Sequence, residues 1–359
     1  MANACITGWG KCLPPAVLTN GDIAQFLDTT DEWITSRTGI SERRVSHVPL
    51  GELAYVAAER ALACAGLAGS ALDLIVFGTT THDDQCPNMA SGLQARLGAD
   101  GCAAMDVNTA CTSFLYGLST ATAMIRSGVV RNALVVGGEL ISSYMDWNDR
   151  NVAVLFGDGA AAVVLQASER DEGVLLEKLG CYGASREILR IHGIGGAYVH
   201  QGRLLGKTDW QFEGQDIFKK AVNGMGLACE DVLQRSGYTA ADIDLVIPHQ
   251  ANLRIIEAVA KRAGIPMERV FVNVQRYGNM SAATVPVALC EALEAGQIRP
   301  GALLLLPAFG GGLTFCAHLV RWGERITPLG ESTVVLPETP RSALEIVQRY
   351  RQAQGAPLP

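Results

Sequence analysis

Short apolar runs alternate with longer stretches in which apolar residues recur every three to four positions, and this alternation narrows the possible architectures sharply. Runs 72–80 (LDLIVFGTT), 133–140 (ALVVGGEL), 160–165, 244–248 and 303–306 have the length and continuity of fully buried strands. Stretches 52–65, 112–127, 217–236 and 253–263 carry the 3.6-residue period of helices. The pattern predicts an α/β fold with parallel strands layered under helices. With 48% apolar and 18% charged residues in 359, the chain can bury one large core or two. It also echoes itself. LDLIVFGTTTHD at 72–83 is similar to IDLVIPHQANLR at 243–254, and NALVVGGEL at 132–140 to GALLLLPAFGGG at 301–312. Two such halves, packed face to face, bring strand ends from both to one central site. The halves are placed at 1–170 and 171–322. Residues 323–359 form a C-terminal extension with turn residues and little periodicity, draped on the surface, in which 342–353 form a short charged helix.

Several classes of protein are disfavoured. The ten cysteines are scattered without framework spacing. Cys5, Cys64, Cys102, Cys229, Cys290 and Cys316 sit among Ala, Ile and Leu, as buried reduced thiols do. The N-terminus lacks a charged segment followed by a long apolar one, so no signal peptide is expected. Residues 302–320 are weakly charged, but Pro307 and Gly310-Gly311-Gly312 interrupt them; a span needs about 20 apolar residues, so two strands and a turn are predicted. A net charge of −7 gives no support for nucleic-acid binding. A soluble, cytoplasmic chain with no membrane insertion is the expectation.

Three distant strings supply a thiol, an imidazole and a carboxamide. They are Asn108-Thr109-Ala110-Cys111-Thr112-Ser113, Pro248-His249-Gln250-Ala251-Asn252 and Tyr277-Gly278-Asn279-Met280-Ser281. Each follows an apolar, strand-like run and opens or precedes helical spacing. A cysteine at a helix N-terminus meets unpaired N–H groups that favour its thiolate, which is chemistry for attacking a thioester. An isolated histidine is more often structural, but one ending an apolar strand and opening a helix reverses that preference. Asn279 after Gly278 suits a turn as well as a site.

With these strings in place the chain resembles the β-ketoacyl-acyl-carrier-protein synthase III family, over residues 4–322. Also matching are Asp31-Glu32-Trp33-Ile34, Arg37-Thr38-Gly39-Ile40, Asp149-Arg150, Phe156-Gly157-Asp158-Gly159-Ala160, Leu253-Arg254 and Phe309-Gly310-Gly311-Gly312, in family order and spacing. The resemblance implies a thiolase-like fold of two duplicated halves, layered α/β/α/β/α, and a homodimer. It implies a decarboxylative Claisen condensation of acyl-CoA with malonyl-acyl-carrier-protein in fatty-acid biosynthesis, with no cofactor and no metal. Cys111 would attack the acyl-CoA thioester to give an acyl-enzyme. The N–H groups of Cys111 and, by resemblance, Gly311 would form the oxyanion hole. His249 and Asn279 would donate to the enolate left by decarboxylation, and this His-plus-Asn pairing matches the synthase III branch of the superfamily.

The resemblance also implies binding roles. Trp33, Arg37 and Arg150 match positions that hold the adenine and phosphates of CoA, and Asn252 one that contacts the pantetheine arm. Phe156 and Phe309 would line the tunnel. Cys86, before Pro87, stands where acetyl-preferring members often carry a bulky aromatic that reaches across the dimer. The room it leaves, with the unusual segment 189–202, predicts medium-chain primers of roughly C6 to C10. Acyl carrier protein is acidic, and Arg254, Lys261 and Arg262 on one helix are expected to form its docking face. The alternatives are an acetyl-CoA-primed synthase, acyl transfer, or quinolone- or polyketide-type condensation on the same fold. A non-catalytic subunit would have lost Cys111, His249 or Asn279.

Overall fold

The structure is a computed structural model and describes residues 2–192 and 209–355. The strand Leu74–Gly78, buried throughout, lies between Ala103–Val107 and Asn132–Glu139 and runs parallel to both. Gly159–Ser168 then pairs antiparallel with Asn132–Glu139, and Asn3–Cys12 antiparallel with Gly159–Ser168, completing a five-stranded sheet. A second sheet repeats this order. Leu245–Val246 runs parallel to Leu303–Gly310, followed outward by antiparallel Thr314–Arg321 and Gly173–Cys181. Its fifth strand is reduced to a single parallel bridge from Val246 to Val270. The sheets are therefore mixed, not parallel as the alternation predicted. The reason is local: only Gly311, Gly312 and Leu313 separate Leu303–Gly310 from Thr314–Arg321, and so short a link can only reverse the chain.

Helices fill the space between and outside the sheets. Ser113–Arg126 and Thr284–Glu294 form the central layer. Phe114, Leu118 and Ile125 from the first, and Val285, Ala288 and Leu289 from the second, share one core with Val76 and Val135 of one sheet and Leu304 and Leu306 of the other. Residues 284–293 are buried all round the Thr284–Glu294 helix, as a helix between two sheets must be. Leu50–Ala65 and Met89–Arg96 cover the outer face of the first sheet. Gly214–Ser236 and Leu253–Ala263 cover that of the second. The result is five layers: helix, sheet, helix, sheet, helix.

The segment after Trp322 is draped, as expected, but tied down. Arg325 Nη1 donates to the carbonyls of Thr7 (2.6 Å) and Ala65 (3.1 Å), and Leu329 N–H to that of Cys64 (3.0 Å). The final helix, Ala343–Gly355, buries Ala343, Ile346 and Val347 against Trp147, Phe26 and Ile23. All ten cysteines are free; Cys102 is half-buried rather than buried, because it precedes the edge strand of the first sheet. Among the described residues no helix is long and apolar enough to cross a membrane.

Candidate active site

Cys111 lies in a 3₁₀ turn, Ala110–Thr112, between the edge strand Ala103–Val107 and the helix Ser113–Arg126. Ala110 adopts φ 51°, in the left-handed region, a cost of about 1–3 kcal/mol that turns the next residue towards the cavity. The Ser113 hydroxyl holds the turn, donating to Ala110 O (2.7 Å) and accepting from Thr109 N–H (2.9 Å). The Gly310 backbone approaches so closely that a Cβ there would lie 2.7 Å from Cys111 N. This approach brings the Gly311 N–H and the Cys111 N–H to the sulfur together. The two expected oxyanion donors are thus adjacent. At the sulfur itself two effects oppose each other. Burial pushes the thiol up to about 12, with the Glu139 charge adding to the rise, and the donors at the sulfur do not offset this. Desolvation within the site and the Glu139 charge thus oppose the helix N-terminus at a sulfur that itself faces the cavity half-buried.

His249 follows Leu245–Val246 and is fixed through its neighbours. Gln250 Nε2 donates to the carbonyls of Pro248 (2.9 Å) and Phe271 (3.0 Å), and its Oε1 accepts from the N–H groups of Asn273 (3.0 Å) and Val274 (3.2 Å). One buried amide so clamps the histidine loop to the turn that leads to Asn279. His249 Nδ1 lies 2.6 Å from Thr284 Oγ1, and burial lowers the imidazole to about 3, so it is neutral at any physiological pH. Asn279 follows a helical turn, Val274–Tyr277, rather than a strand. Gly278 adopts φ 62°, and a Cβ there would meet Leu155 O at 2.7 Å. Asn279 N–H donates to Leu155 O (2.9 Å), and its own carbonyl accepts from Gly157 N–H (3.1 Å). Its Oδ1 accepts from Ser281 N–H (2.8 Å), which leaves the amide nitrogen as the group offered to the site.

Cys111, His249, Asn279 and Gly311 line one cavity of about 1260 Å³. Phe156, Phe309, Trp33, Arg37, Asn252 and Arg254 line it too. The indole of Trp33 carries Arg37 at 4.4 Å and Arg150 at 4.7 Å from its centroid, so direct stacking leaves no space for an adenine between Trp33 and Arg150 until Arg150 swings away. Asn252 caps the helix Leu253–Ala263 by accepting from Arg254 N–H (2.9 Å), a role separate from any ligand. Arg254 Nη2 donates to Ser36 O (2.7 Å) at the cavity wall. Arg262 stands apart from Arg254 and Lys261: it turns onto the Gly214–Ser236 helix, meeting Glu230 (3.0 Å) and Asn223 (2.7 Å). Cys86 is exposed and does not line the cavity of its own chain. Of segment 189–202, Leu189–His192 pairs with Asp209–Phe212 beside the cavity, and the rest lies outside the described residues. Among the described residues no group of three or more His, Cys, Asp or Glu is placed to hold a metal ion.

Sequence reasoning missed several groups around these three. Glu139, which ends the strand Asn132–Glu139, is wholly buried behind Cys111, and Ser281 and Thr284 follow Asn279. The signal for Glu139 was a lone carboxylate closing the otherwise uncharged run ALVVGGE. Trp210 and Phe212, which pack on Phe156 at 5.1 and 6.5 Å, carried no signal beyond being aromatic.

A thiol, two backbone N–H groups at its sulfur, a neutral imidazole and a carboxamide meet in one cavity of a five-layered fold, an arrangement suited to thioester chemistry. Comparison with known proteins agrees. The 3-oxoacyl-[acyl-carrier-protein] synthase III model matches residues 105–183, and the C-terminal model of the same family matches 233–322. β-Ketoacyl-[acyl-carrier-protein] synthase III 2 of Vibrio cholerae is 52% identical over 344 residues, 96% of this chain and 95% of that protein. β-Ketoacyl-[acyl-carrier-protein] synthase III of Roseiflexus castenholzii is 46% identical over 90% of this chain and 99% of its own. The crystal structure of 3-oxoacyl-[acyl-carrier-protein] synthase III from Aquifex aeolicus superposes with a TM-score of 0.84 at 43% identity, covering 89% of this chain and 100% of that one. The chain belongs to the β-ketoacyl-acyl-carrier-protein synthase III family, condensing enzymes of the acyltransferase class, and has their thiolase-like fold.

Proposed function

We propose that this enzyme condenses an acyl-CoA primer with malonyl-acyl-carrier-protein by way of an acyl-enzyme on Cys111. The observation that carries the reading is the meeting of Cys111, His249, Asn279 and the Gly311 N–H in one cavity. In acylation the sulfur attacks the primer carbonyl, the oxyanion rests on the N–H groups of Cys111 and Gly311, and CoA leaves. Malonyl thioester then loses carbon dioxide, and the charge moves to its thioester oxygen. Neutral donors suit that enolate, since a charged acid beside it would protonate its carbon. Asn279 offers its amide nitrogen. Thr284 Oγ1 lies 2.6 Å from His249 Nδ1 and 3.0 Å from the Ser281 carbonyl; in the tautomer in which its one proton goes to Nδ1, His249 carries its own proton on Nε2 and offers a second N–H. The carbanion attacks the acyl-enzyme and Cys111 is released. No cofactor is needed for any step.

The primer we propose is medium-chain, roughly C6 to C10, where each buried methylene is worth about 0.8 kcal/mol in binding. Leu189, Phe212, Ile217, Ala221 and Met225 give the cavity an apolar wall, which supports that length. Cys86, exposed on its own chain, would act only across a homodimer; the outer edge of Ala103–Val107, which no strand among the described residues pairs, supports such a dimer. Acyl carrier protein would dock at the cavity mouth beside Arg254 and Lys261. The reading places the enzyme in the cytoplasm, where both thioester substrates would reach it.

A primer series from C2 to C12 with malonyl-acyl-carrier-protein tests this. The expected result is primer-dependent carbon dioxide release with a ketoacyl product, kcat/KM greatest at medium length, and a shift to short primers in Cys86→Phe. Thioester exchange without carbon dioxide would overturn condensation. A preference for acetyl-CoA over octanoyl-CoA would overturn the primer length alone.

A further inference from the structure

A thiol pushed up to about 12 must lose its proton to something, and the neighbouring imidazole is a poor choice. Burial lowers His249 to about 3, and an imidazolium beside the enolate would quench it. The turn Ala110–Thr112 packs against the turn Ser281–Ala283, and Cys111 and Ser281 line the same cavity, which sets the Ser281 hydroxyl beside the sulfur. Ser281 Oγ also donates to Glu139 Oε1 at 3.0 Å. Ser281 is held there in the left-handed region at φ 47°; it and Ala110 are the non-glycine residues with positive φ among those described, and they flank Cys111. Glu139 is enclosed on its other sides by a run of hydroxyls from the turn after Leu74–Gly78. Thr81 Oγ1 donates at 2.5 Å and Thr79 Oγ1 at 3.1 Å, while Thr80 contributes its N–H at 3.2 Å and its hydroxyl at 3.2 Å.

We infer that Glu139, acting through the Ser281 hydroxyl, receives the proton that Cys111 gives up on acylation and returns it when Cys111 is released. In acylation the S–H proton passes to Ser281 Oγ while the Ser281 proton passes to Glu139. The sulfur lone pair forms the new S–C bond, and the bond to CoA breaks with CoA leaving as its thiolate. Negative charge passes from Glu139 to departing CoA. In condensation the carbanion forms the C–C bond, the C–S bond to Cys111 breaks, and the sulfur takes the proton back by the same path. Glu139 ends as the carboxylate and the thiol is restored. The single Ser281 proton fits both stages, pointing to Glu139 while the carboxylate is ionised and to the sulfur once it is not. This path keeps the proton behind the sulfur and away from the enolate carbon.

Burial raises Glu139 to about 7, against the lowering by its hydroxyl and amide donors, which matches an acceptor working near neutral pH. The titratable groups that feel its charge are Cys111, from the 3₁₀ turn, and Tyr144, from the segment after its own strand; burial and Glu139 together push both up.

The inference rests on Cys111 being the acylated residue, so the test reads acylation alone. Purified enzyme is mixed with octanoyl-CoA without malonyl substrate, and label on Cys111 is followed by mass from pH 5.5 to 9. Wild type should accelerate through about pH 7 and then level off, as the acceptor ionises. Glu139→Gln and Ser281→Ala should acylate on the order of 100-fold more slowly at pH 7, with a rate that keeps rising with pH and never levels. Ser281→Ala leaves the carboxylate and its threonines in place, so it carries the test if Glu139→Gln misfolds. Wild-type rates and profiles in both variants would overturn the relay, whereas absence of label on Cys111 in wild type would overturn the acyl-enzyme itself.

Discussion

The carboxamide of Asn279 can present oxygen or nitrogen to the cavity, and one backbone N–H, that of Ser281, decides which. The left-handed turn at Ser281 is what aims that N–H back at Oδ1. Asn279→Ala should therefore spare Cys111 acylation and slow carbon dioxide release on the order of 10²- to 10³-fold, the usual cost of a lost preorganised donor. Decarboxylation at the wild-type rate would remove Asn279 from the mechanism. Cys111, His249 and Asn279 were legible in the sequence because each sits in a short string with its own turn chemistry. Their proton states were not legible. Those depend on burial by residues hundreds of positions away and on hydroxyls such as Thr284 and Ser281, whose side chains carry no pattern. At Cys111 the helix N-terminus that favours a thiolate is a local feature, and the desolvation that opposes it is a tertiary one.

The helix Leu253–Ala263 shows what periodicity settles and what it leaves open. Its apolar face, Ile255, Ile256, Val259 and Ala260, packs on the second sheet as the spacing requires. Its cations were grouped by their place in the sequence, yet Arg262 is about 100° round the helix from Lys261 and reaches the neighbouring Gly214–Ser236 helix. Lys261→Glu is expected to raise KM for malonyl-acyl-carrier-protein several-fold and leave KM for acyl-CoA nearly unchanged. Arg262→Glu should instead place like charges beside Glu230 and lower Tm with little change in KM for the carrier protein. Equal effects on both substrates for Lys261→Glu would contradict a docking role. Strand existence was similarly legible, but strand direction was not, since apolar runs look alike whichever way the neighbouring strand runs.

At the scale of the whole molecule, the internal echo is the feature that gives the site its place. Leu74 pairs with Ala133 in one sheet and Leu245 with Leu304 in the other, in the same sense and at the same sequence separation. The first half delivers Cys111 from beyond one set of strand ends and the second delivers His249, Asn279 and Gly311 from the matching ends. The extension after Trp322 adds a clasp across the first half, through Arg325 on the carbonyls of Thr7 and Ala65, Leu329 on that of Cys64, and the final helix on Trp147 and Ile23. Every step of the account passes through one covalent bond, and it can be measured. Enzyme incubated with octanoyl-CoA, digested and mapped by mass should carry the added acyl group on the peptide containing Cys111 and on no other of its ten cysteines. Malonyl-acyl-carrier-protein should then remove the label as ketoacyl product with release of carbon dioxide. Label on a different cysteine, with Cys111→Ala still forming ketoacyl product at the wild-type rate, would contradict the account.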